Sequence, residues 1–349
     1  MLKKNAIVYA EGLYNCANGK TAHGLVRYSK RFKISCVVDS TLNEDDAGII
    51  LDGIKRNIPL YNNLDKALKL TNADTFIIGA VSEGGILPVG YDKAVEWALS
   101  NGLDVISGLH DFISDNQLFV KLSKEKNCDI IDVRKIFRDY KRFFTGEINN
   151  VKSLRIAILG TDSAIGKRTL AVLLNEELKK RGKTSDMIYT GQTGWLQGWK
   201  HGIIIDAMIN DFVSGGIEGA IIDSWKDDHP DFIIIEGQGS LVHPFFPGGF
   251  EILAAGKVHG FILVDAPGRK NLDGFPDYPM PDLKRVVKIA ELLTEKPLLG
   301  IGINKENLDK NNLEKVKNKF RKTFRVPVVE PLSDGASEIA DYLEKLNEK

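Results

Sequence analysis

The stretch LGTDSAIGKRT, from Leu159 to Thr169, has the residue types and spacing of a loop that binds phosphate. It follows an apolar run and precedes a helical pattern, which is where such loops lie. In the usual loop, G-x-x-x-x-G-K-[ST], backbone N–H groups surround the β-phosphate, the lysine reaches across it and the next hydroxyl holds Mg²⁺. Gly166 and Lys167 occupy their expected positions. The sequence therefore predicts an anion-binding loop.

Two departures from this pattern bear on what the loop binds. The first glycine, Gly160, lies one residue early, and Arg168 stands where the metal-binding hydroxyl belongs. Thr169 comes one residue late, and one residue is about 100° around a helix, so Thr169 does not inherit that position. We expect a phosphate cradle without a well-made metal site. Its predicted contact residues are Gly160, Thr161, Asp162, Ser163, Ala164, Ile165, Gly166, Lys167, Arg168 and Thr169.

A glutamate closes a second buried-strand pattern. In DFIIIEGQGS, Glu236 follows three isoleucines and precedes Gly237 and Gln238. A carboxylate at such a strand end faces the phosphates, where it can hold a metal-bound water or accept a proton. In the presence of the loop, we favour a functional role for Glu236 over that of an ordinary acid at a strand end.

Two further groups of polar residues are candidates for a pocket wall. Thr190, Gln192 and Thr193 lie in TGQTG after a strand-like segment, where doubly wound sheets bind ligands, although a plain turn fits equally well. Asp206 and Asn210 lie in a helical pattern one turn apart, so we expect them to share a helix face. That face either lines a pocket or is solvated.

Other candidates lie in the N-terminal half and in one long connection. Asp39 ends a strand pattern, as the ribose-binding acid of NAD sites does, but GxGxxG is absent, which argues against NAD. His23 and His110 each follow a strand-like segment and either meet at the sheet crevice or are structural. Residues 271–282 contain three prolines, and we interpret them as a lid or an oligomer contact.

The candidates are embedded in two series of alternating strand and helix patterns. This alternation predicts an α/β protein with two doubly wound, mostly parallel sheets. We place a Rossmann-like domain at 1–145 and a P-loop NTPase-like domain at 150–349. Between the two series, residues 132–154 are basic and aromatic, and we interpret them as a solvated linker rather than a nucleic-acid surface, because acidic residues interrupt them.

Composition limits the function classes. The 349 residues contain 47 basic and 47 acidic side chains, so no global field attracts nucleic acid or an anionic membrane. No apolar run approaches the roughly 20 residues that span a bilayer, and the opening segment has too short an apolar core for a signal peptide. We therefore expect a cytoplasmic protein with neither nucleic-acid nor membrane partners. Homo-oligomerisation is the general expectation for such enzymes.

The motifs carry two resemblances. The wording GTDSAIGKRT resembles the loops of dethiobiotin synthetase and its relatives. Over nearly the whole chain, the sequence resembles the D-glutamate N-acetyltransferase-like family in seven words, namely YAEGLYNCANGKTAHGLVRYSKRF, IIGAVSEGGILP, SGLHDFISD, TGQTG, INDFVSGGIE, EGQGSLVHP and APGRKNLDGFP. This second resemblance implies a Rossmann-like domain, a P-loop domain and acetyl transfer from acetyl-CoA to the amine of D-glutamate.

The implied reaction suggests roles for the candidate residues. A loop without a metal site suits coenzyme A, whose phosphates need only be held. Glu236 is the proposed base with His243 as its substitute, and either Lys167 or the N–H groups of the TGQTG turn stabilise the oxyanion. Arg269 clamps a carboxylate of the acidic amino acid, and Thr190, Gln192 and Thr193 are further substrate-binding candidates. Two alternatives stay open. One is an ATP- and Mg²⁺-dependent enzyme of the dethiobiotin-synthetase type, and the other is a non-catalytic nucleotide sensor.

Overall fold

The computed structural model describes residues 3–347, which form two compact units. The first unit comprises the chain up to Tyr140 together with Gly191–Trp199 and Asp206–Met208. The second comprises Lys141–Thr190, Lys200–Ile205 and the chain from Ile209 onward. Short segments of the C-terminal half therefore belong to the first unit. The predicted boundary at 145–150 stays a prediction.

The first unit is built on a six-stranded parallel sheet in the order β3-β2-β1-β4-β5-β6. This order reverses between β1 and β4, as in Rossmann-like folds. β-branched and aromatic residues predominate in the strands, and several of them are buried in the core together with apolar residues of the helices and loops, namely Ile7, Tyr9, Val38, Phe76, Ile78 and Val105. The strands are β1 Asn5–Tyr9, β2 Lys33–Val38, β3 Leu60–Tyr61, β4 Thr75–Ile78, β5 Asp104–Ser107 and β6 Ile130–Asp132.

The helices of the first unit connect these strands and cover the sheet. Three of them begin after a residue whose side chain accepts backbone N–H groups of the first turn, namely Asp46, Asn63 and Asn116. The helices are α1 Lys20–Tyr28, α2 Ala47–Asp52, α3 Leu64–Thr71, α4 Tyr91–Ser100, α5 Gln117–Lys126, α6 Val133–Arg138 and, from the C-terminal half, α8 Gln192–Gln197.

The second unit contains another six-stranded parallel sheet, in the order β14-β13-β10-β7-β9-β8, and a two-stranded hairpin. Its central strands are buried except at Leu154, and most of their residues are apolar, as in parallel sheets that are covered on both faces. The strands are β7 Leu154–Gly160, β8 Ser185–Ile188, β9 Phe232–Glu236, β10 Gly260–Asp265, β13 Leu298–Ile303 and β14 Val328–Val329, with the hairpin β11 Asn271–Leu272 and β12 Phe275–Pro279.

Helices lie between the strands of the second unit in the same alternating manner. They are α7 Lys167–Lys180, α9 Asn210–Asp228, α10 Phe250–Gly256, α11 Leu283–Thr294, α12 Lys310–Phe324, α13 Pro331–Asp334 and α14 Ser337–Asn347. The two sheets and their flanking helices confirm the predicted fold class. No helix among residues 3–347 is long and apolar enough to cross a bilayer.

The prediction that Asp206 and Asn210 share a helix face is wrong. Asp206 lies in a 3₁₀ turn, Ile205–Ala207, and α9 begins only at Asn210. The preceding chain is extended, because the N–H of Ile203 bonds to the carbonyl of Tyr189. This pairing with a neighbouring segment prevails over the local helical pattern.

Candidate functional site

The loop after β7 has the conformation of an anion cradle. Its backbone turns through left-handed conformations at Ala164 (φ 52°) and Gly166 (φ 101°), and α7 begins directly afterwards at Lys167. A Cβ at Gly160 would lie 2.8 Å from Ile165 Cδ1, so the early glycine lets the loop close tightly. Lys167 Nζ donates to the carbonyl oxygen of Asp162 at 2.6 Å, which carries the ammonium back across the loop. Successive turns of this kind at a helix N-terminus favour bound phosphate.

The buried carboxylate of Asp162 holds the phosphate loop in place through hydrogen bonds to the loop itself, to Arg269 and to the hairpin. The side chain is completely buried, and its Oδ1 accepts the backbone N–H of Ser163 at 2.6 Å. Its Oδ2 accepts Nη1 of Arg269 at 2.6 Å and the backbone N–H of Asp273 at 2.9 Å. Ser163 Oγ donates to Asp273 Oδ2 at 2.8 Å. The hairpin in the predicted lid segment is thus tied to the phosphate loop.

Arg168 and Glu236 form an ion pair beside the loop, with Nη2 2.6 Å from Oε1. Glu236 ends β9 and is 2% exposed, and its Oε2 accepts the backbone N–H of Thr190 at 3.2 Å. Thr190 Oγ1 donates to the Glu236 carbonyl oxygen at 2.9 Å and accepts Nε2 of Gln238 at 3.2 Å. The two carboxylate oxygens of Glu236 therefore have different partners.

The fold class implies a magnesium site, but the residues present do not fit one of the usual kind. The hydroxyl position is taken by Arg168, whose guanidinium already neutralises the neighbouring acid, Glu236. Thr161 Oγ1 donates to Asp265 at 2.6 Å rather than to the loop. Burial raises the pKa of Asp265. Among residues 3–347, no three His, Cys, Asp or Glu side chains meet as metal ligands.

His243 packs against the loop in a fixed tautomer. It is 1% exposed, and its Nδ1 accepts the backbone N–H groups of Phe245 at 3.1 Å and Phe246 at 3.0 Å. Because Nδ1 is the acceptor, the neutral ring carries its proton on Nε2, 3.4 Å from Asp162 Oδ1. Burial lowers the pKa of His243, so the ring is neutral near pH 7.

The remaining predicted residues lie in different surroundings. The guanidinium of Arg269 is engaged by Asp162 and, at 2.6 Å, by Glu306. Although burial lowers its pKa, the bonds to Glu306 and Asp162 raise it above the ordinary value. Thr190 belongs to the second unit, whereas Gln192 and Thr193 belong to the first. Their roles as ligands stay predictions.

Both halves of the chain match domain models of the same protein family. Residues 142–340 match a domain of unknown function described as the DUF1611 C-terminal P-loop domain, and residues 40–136 match the Rossmann-like N-terminal domain of DUF1611. The chain belongs to the DUF1611 family. A crystal structure of a DUF1611 family protein from Anabaena variabilis is 26% identical, superposes with a TM-score of 0.90, and is covered completely by 98% of this chain.

Two curated relatives of this DUF1611 protein have a name that states an activity. A protein from a Pseudoalteromonas species named D-glutamate N-acetyltransferase is 31% identical over 80% of this chain and 83% of its own length. A protein of the same name from Tritonibacter scottomollicae is 30% identical over 84% of this chain and 88% of its own length. The family resemblance inferred from the seven sequence words is confirmed.

Sequence reasoning missed one polar cluster of the DUF1611 protein, in its first unit. Arg134 follows β6 in the stretch that we interpreted as a solvated linker, yet it is only 5% exposed. Its guanidinium bonds to Asp206 and to Gln192. At this residue the linker interpretation is wrong, because the partners of Arg134 come from segments more than fifty residues away and no local pattern reveals them.

Asp39 and the two histidines of the first unit have internal partners. The carboxylate of Asp39 is fully buried and accepts the backbone N–H groups of Gly12 at 3.0 Å and Tyr14 at 3.1 Å. It therefore shapes the loop after β1 instead of facing a ribose. His23 Nε2 bonds to the Tyr14 carbonyl at 2.6 Å, whereas His110 lies 3.9 Å from Asp206.

Proposed function

We propose that this protein is an N-acetyltransferase that moves an acetyl group from acetyl-CoA to the amine of an acidic amino acid resembling D-glutamate. The observation that carries the proposal is the relationship, over four fifths of the chain, to two proteins named for that activity. The phosphate loop supports it, because coenzyme A has phosphates to be held and none to be split.

The loop supplies the donor half of the proposed reaction. The turned backbone at Ala164 and Gly166 and the ammonium of Lys167 bind the pyrophosphate of coenzyme A. The Arg168–Glu236 ion pair supports this donor over Mg²⁺-ATP, because it occupies the place of the metal. The ATP-dependent alternative would require this pair to open.

Acetyl transfer also needs a group that takes a proton from the acceptor. The amine nitrogen attacks the thioester carbon, a C–N bond forms, the C–S bond breaks, and the amine proton leaves to a base while the thiolate takes up a proton. We assign the base to Glu236. Its Oε2 is the oxygen to protonate, since it is held by one N–H at 3.2 Å whereas Oε1 is held by Arg168.

A direct assay tests the proposal. The purified protein is incubated with acetyl-CoA and D-glutamate, and free thiol and N-acetylglutamate are followed by mass spectrometry, with L-glutamate and an ATP/Mg²⁺ mixture in parallel. We expect N-acetylglutamate that requires acetyl-CoA and is lost in Lys167→Ala. No acetylated product, with ADP formed in the ATP tube, contradicts the proposal and favours the ATP-dependent alternative.

A further inference from the structure

The first unit contains a buried guanidinium whose hydrogen-bond donors are only partly satisfied by the described residues. Arg134 is the second residue of α6 and lies directly after β6. Its Nε and Nη2 donate to the two oxygens of Asp206 at 3.2 and 2.7 Å, and Nη2 also donates to Gln192 Oε1 at 3.1 Å. Its Nη1 is buried and has no hydrogen-bond partner among residues 3–347.

These contacts divide the guanidinium into two edges. Asp206 takes the edge formed by Nε and Nη2, so the second N–H of Nη2 points along the other edge, which it shares with Nη1. On this second edge the only partner in the described chain is the neutral amide oxygen of Gln192. A buried charged donor without a partner is destabilising, because no hydrogen bond compensates for its removal from water. Two parallel N–H groups on one edge match the two oxygens of a carboxylate.

The surrounding backbone holds this cluster in place. His110 follows β5 and Arg134 follows β6, and because these strands are paired in parallel, both residues lie at the same edge of the sheet. A Cβ at Gly108 would lie 2.8 Å from Gln192 Cγ, and one at Gly85 would lie 2.4 Å from His110 Cδ2. Both glycines therefore allow a polar side chain to approach. The side chains of His110 and Asp206 are 39% and 44% exposed, which gives the cluster access to solvent.

We propose that the Nη1–Nη2 edge of Arg134 is a binding site for a carboxylate. An oxygen of the ligand replaces Gln192 Oε1, the other oxygen bonds to Nη1, and Asp206 keeps the opposite edge and orients the guanidinium. This site is independent of the proposed function, because its carboxylate chemistry follows from the contacts of Arg134 within the first unit alone.

The decisive variant is Gln192→Glu, which places a carboxylate of the protein on the same edge. We expect the new side chain to pair with Arg134, to raise the melting temperature and to weaken the binding of glutarate by about tenfold or more. Glutarate is the probe because it has the dicarboxylate skeleton of glutamate without the amine, and its neutral diamide is the ligand control. Binding is measured by isothermal titration calorimetry on the full chain.

Gln117→Glu is the matched control. Gln117 is exposed and is the first residue of α5, just as Gln192 is the first residue of α8, so the same substitution adds the same charge elsewhere in the unit. We expect glutarate to bind this variant as it binds the wild type. Arg134→Lys keeps the charge but loses the two-pronged geometry, and we expect it to bind glutarate about tenfold more weakly.

Two results overturn the proposed site. One is glutarate binding that is equal in the wild type and in Gln192→Glu, and the other is no glutarate binding by the wild type at millimolar concentrations. If either occurs while D-glutamate is acetylated, the proposed function stands and this site fails. If glutarate binds as expected and no acetyl transfer is found, the carboxylate site stands and the proposed function fails.

Discussion

Arg168 Nη2 lies 2.6 Å from Glu236 Oε1, so the residue in the position of the metal-binding hydroxyl also neutralises the acid at the end of the adjacent strand. In the usual phosphate loop these two positions hold a divalent cation between them. Here the guanidinium of Arg168 supplies the positive charge in place of a metal ion. The negative charge of Glu236 is compensated next to the loop without any ion from solution.

This pair predicts that the donor binds independently of Mg²⁺. We expect coenzyme A to bind the wild type with equal affinity in EDTA and in Mg²⁺, measured by calorimetry. In Arg168→Thr, the acid loses its counter-charge, and we expect affinity in EDTA to fall about tenfold, with partial recovery in Mg²⁺. Arg168→Lys, which keeps the charge, is the control and should show no recovery by Mg²⁺. A wild-type protein that requires Mg²⁺ for binding contradicts this account.

Lys167 is expected to carry donor affinity. A hydrogen bond from an ammonium group to a charged acceptor contributes about 1.5–3 kcal/mol, which corresponds to roughly 10- to 150-fold in affinity. We therefore expect Lys167→Ala to raise the dissociation constant of acetyl-CoA within that range. Lys284→Ala, on the exposed face of α11, removes the same charge from the same unit and serves as the control. Equal affinities for both variants would show that the phosphates bind elsewhere.

Much of the fold could be predicted from the sequence because it depends on local periodicity. The apolar runs that became β7, β9 and β10 are continuous, as buried parallel strands require, and the phosphate loop lies between strand and helix as expected. The segment 201–209 could not be predicted in this way. Its helical pattern is local, whereas the N–H of Ile205 bonds to the carbonyl of Thr190, which is fifteen positions earlier.

The same distinction between local pattern and distant contacts decides which residues of the candidate site could be predicted. Spacing revealed Lys167 and Arg168, because a loop motif is contiguous in sequence. The partners of these residues, and the buried environment of Arg134, depend on side chains from distant segments. The local pattern favours a solvated linker at Arg134, because acidic residues interrupt the basic and aromatic stretch around it. Only the fold brings it to Asp206 and Gln192 and removes it from water.

Substitutions of His243 can distinguish a positioning role, which depends on Nδ1 as a hydrogen-bond acceptor, from the role of a catalytic base. Its Nδ1 accepts two backbone N–H groups, and an Asn side chain can place an amide oxygen near the same point, whereas Gln reaches the position of Nε2 instead. We expect His243→Asn to keep most of the thermal stability and of kcat/KM. We expect His243→Gln and His243→Ala to lose about 1 kcal/mol of stability, because two backbone N–H groups lose their acceptor.

The pH profile of kcat/KM provides the second measurement on His243. If His243 has only a positioning role, the pH profile of the active His243→Asn variant shows the same pKa values as that of the wild type. If His243→Asn and His243→Gln are both folded but retain only a small residual kcat/KM, and if the limb that reports the essential base is missing from the pH profile of that residual activity, His243 is the base and the positioning role is refuted.

His201 is expected to make the stability of the second unit depend on pH. It is 6% exposed, with Nδ1 2.6 Å from Asp186 and Nε2 2.9 Å from Asp227, while Ser224 Oγ donates to Asp186 and Lys200 lies 2.8 Å from Asp227. Burial lowers the pKa of His201, but the bonds to Asp186 and Asp227 outweigh burial, so the pKa is raised. The folded state therefore favours the protonated ring.

The sign of the effect follows from that direction. Because the folded pKa lies above the unfolded value of about 6.5, the stabilisation is fully present below pH 6.5 and is lost as the pH rises through the folded pKa. Although burial raises the pKa of Asp186, the bonds to His201 and Ser224 lower it below the unfolded value of about 3.9, so its contribution is fully present above pH 3.9 and is lost as the pH falls through the folded pKa. We expect the melting temperature of the wild type to decrease above pH 6.5 and that of His201→Gln to change less over the same interval. Parallel profiles for the two proteins would mean that His201 is not protonated in the fold.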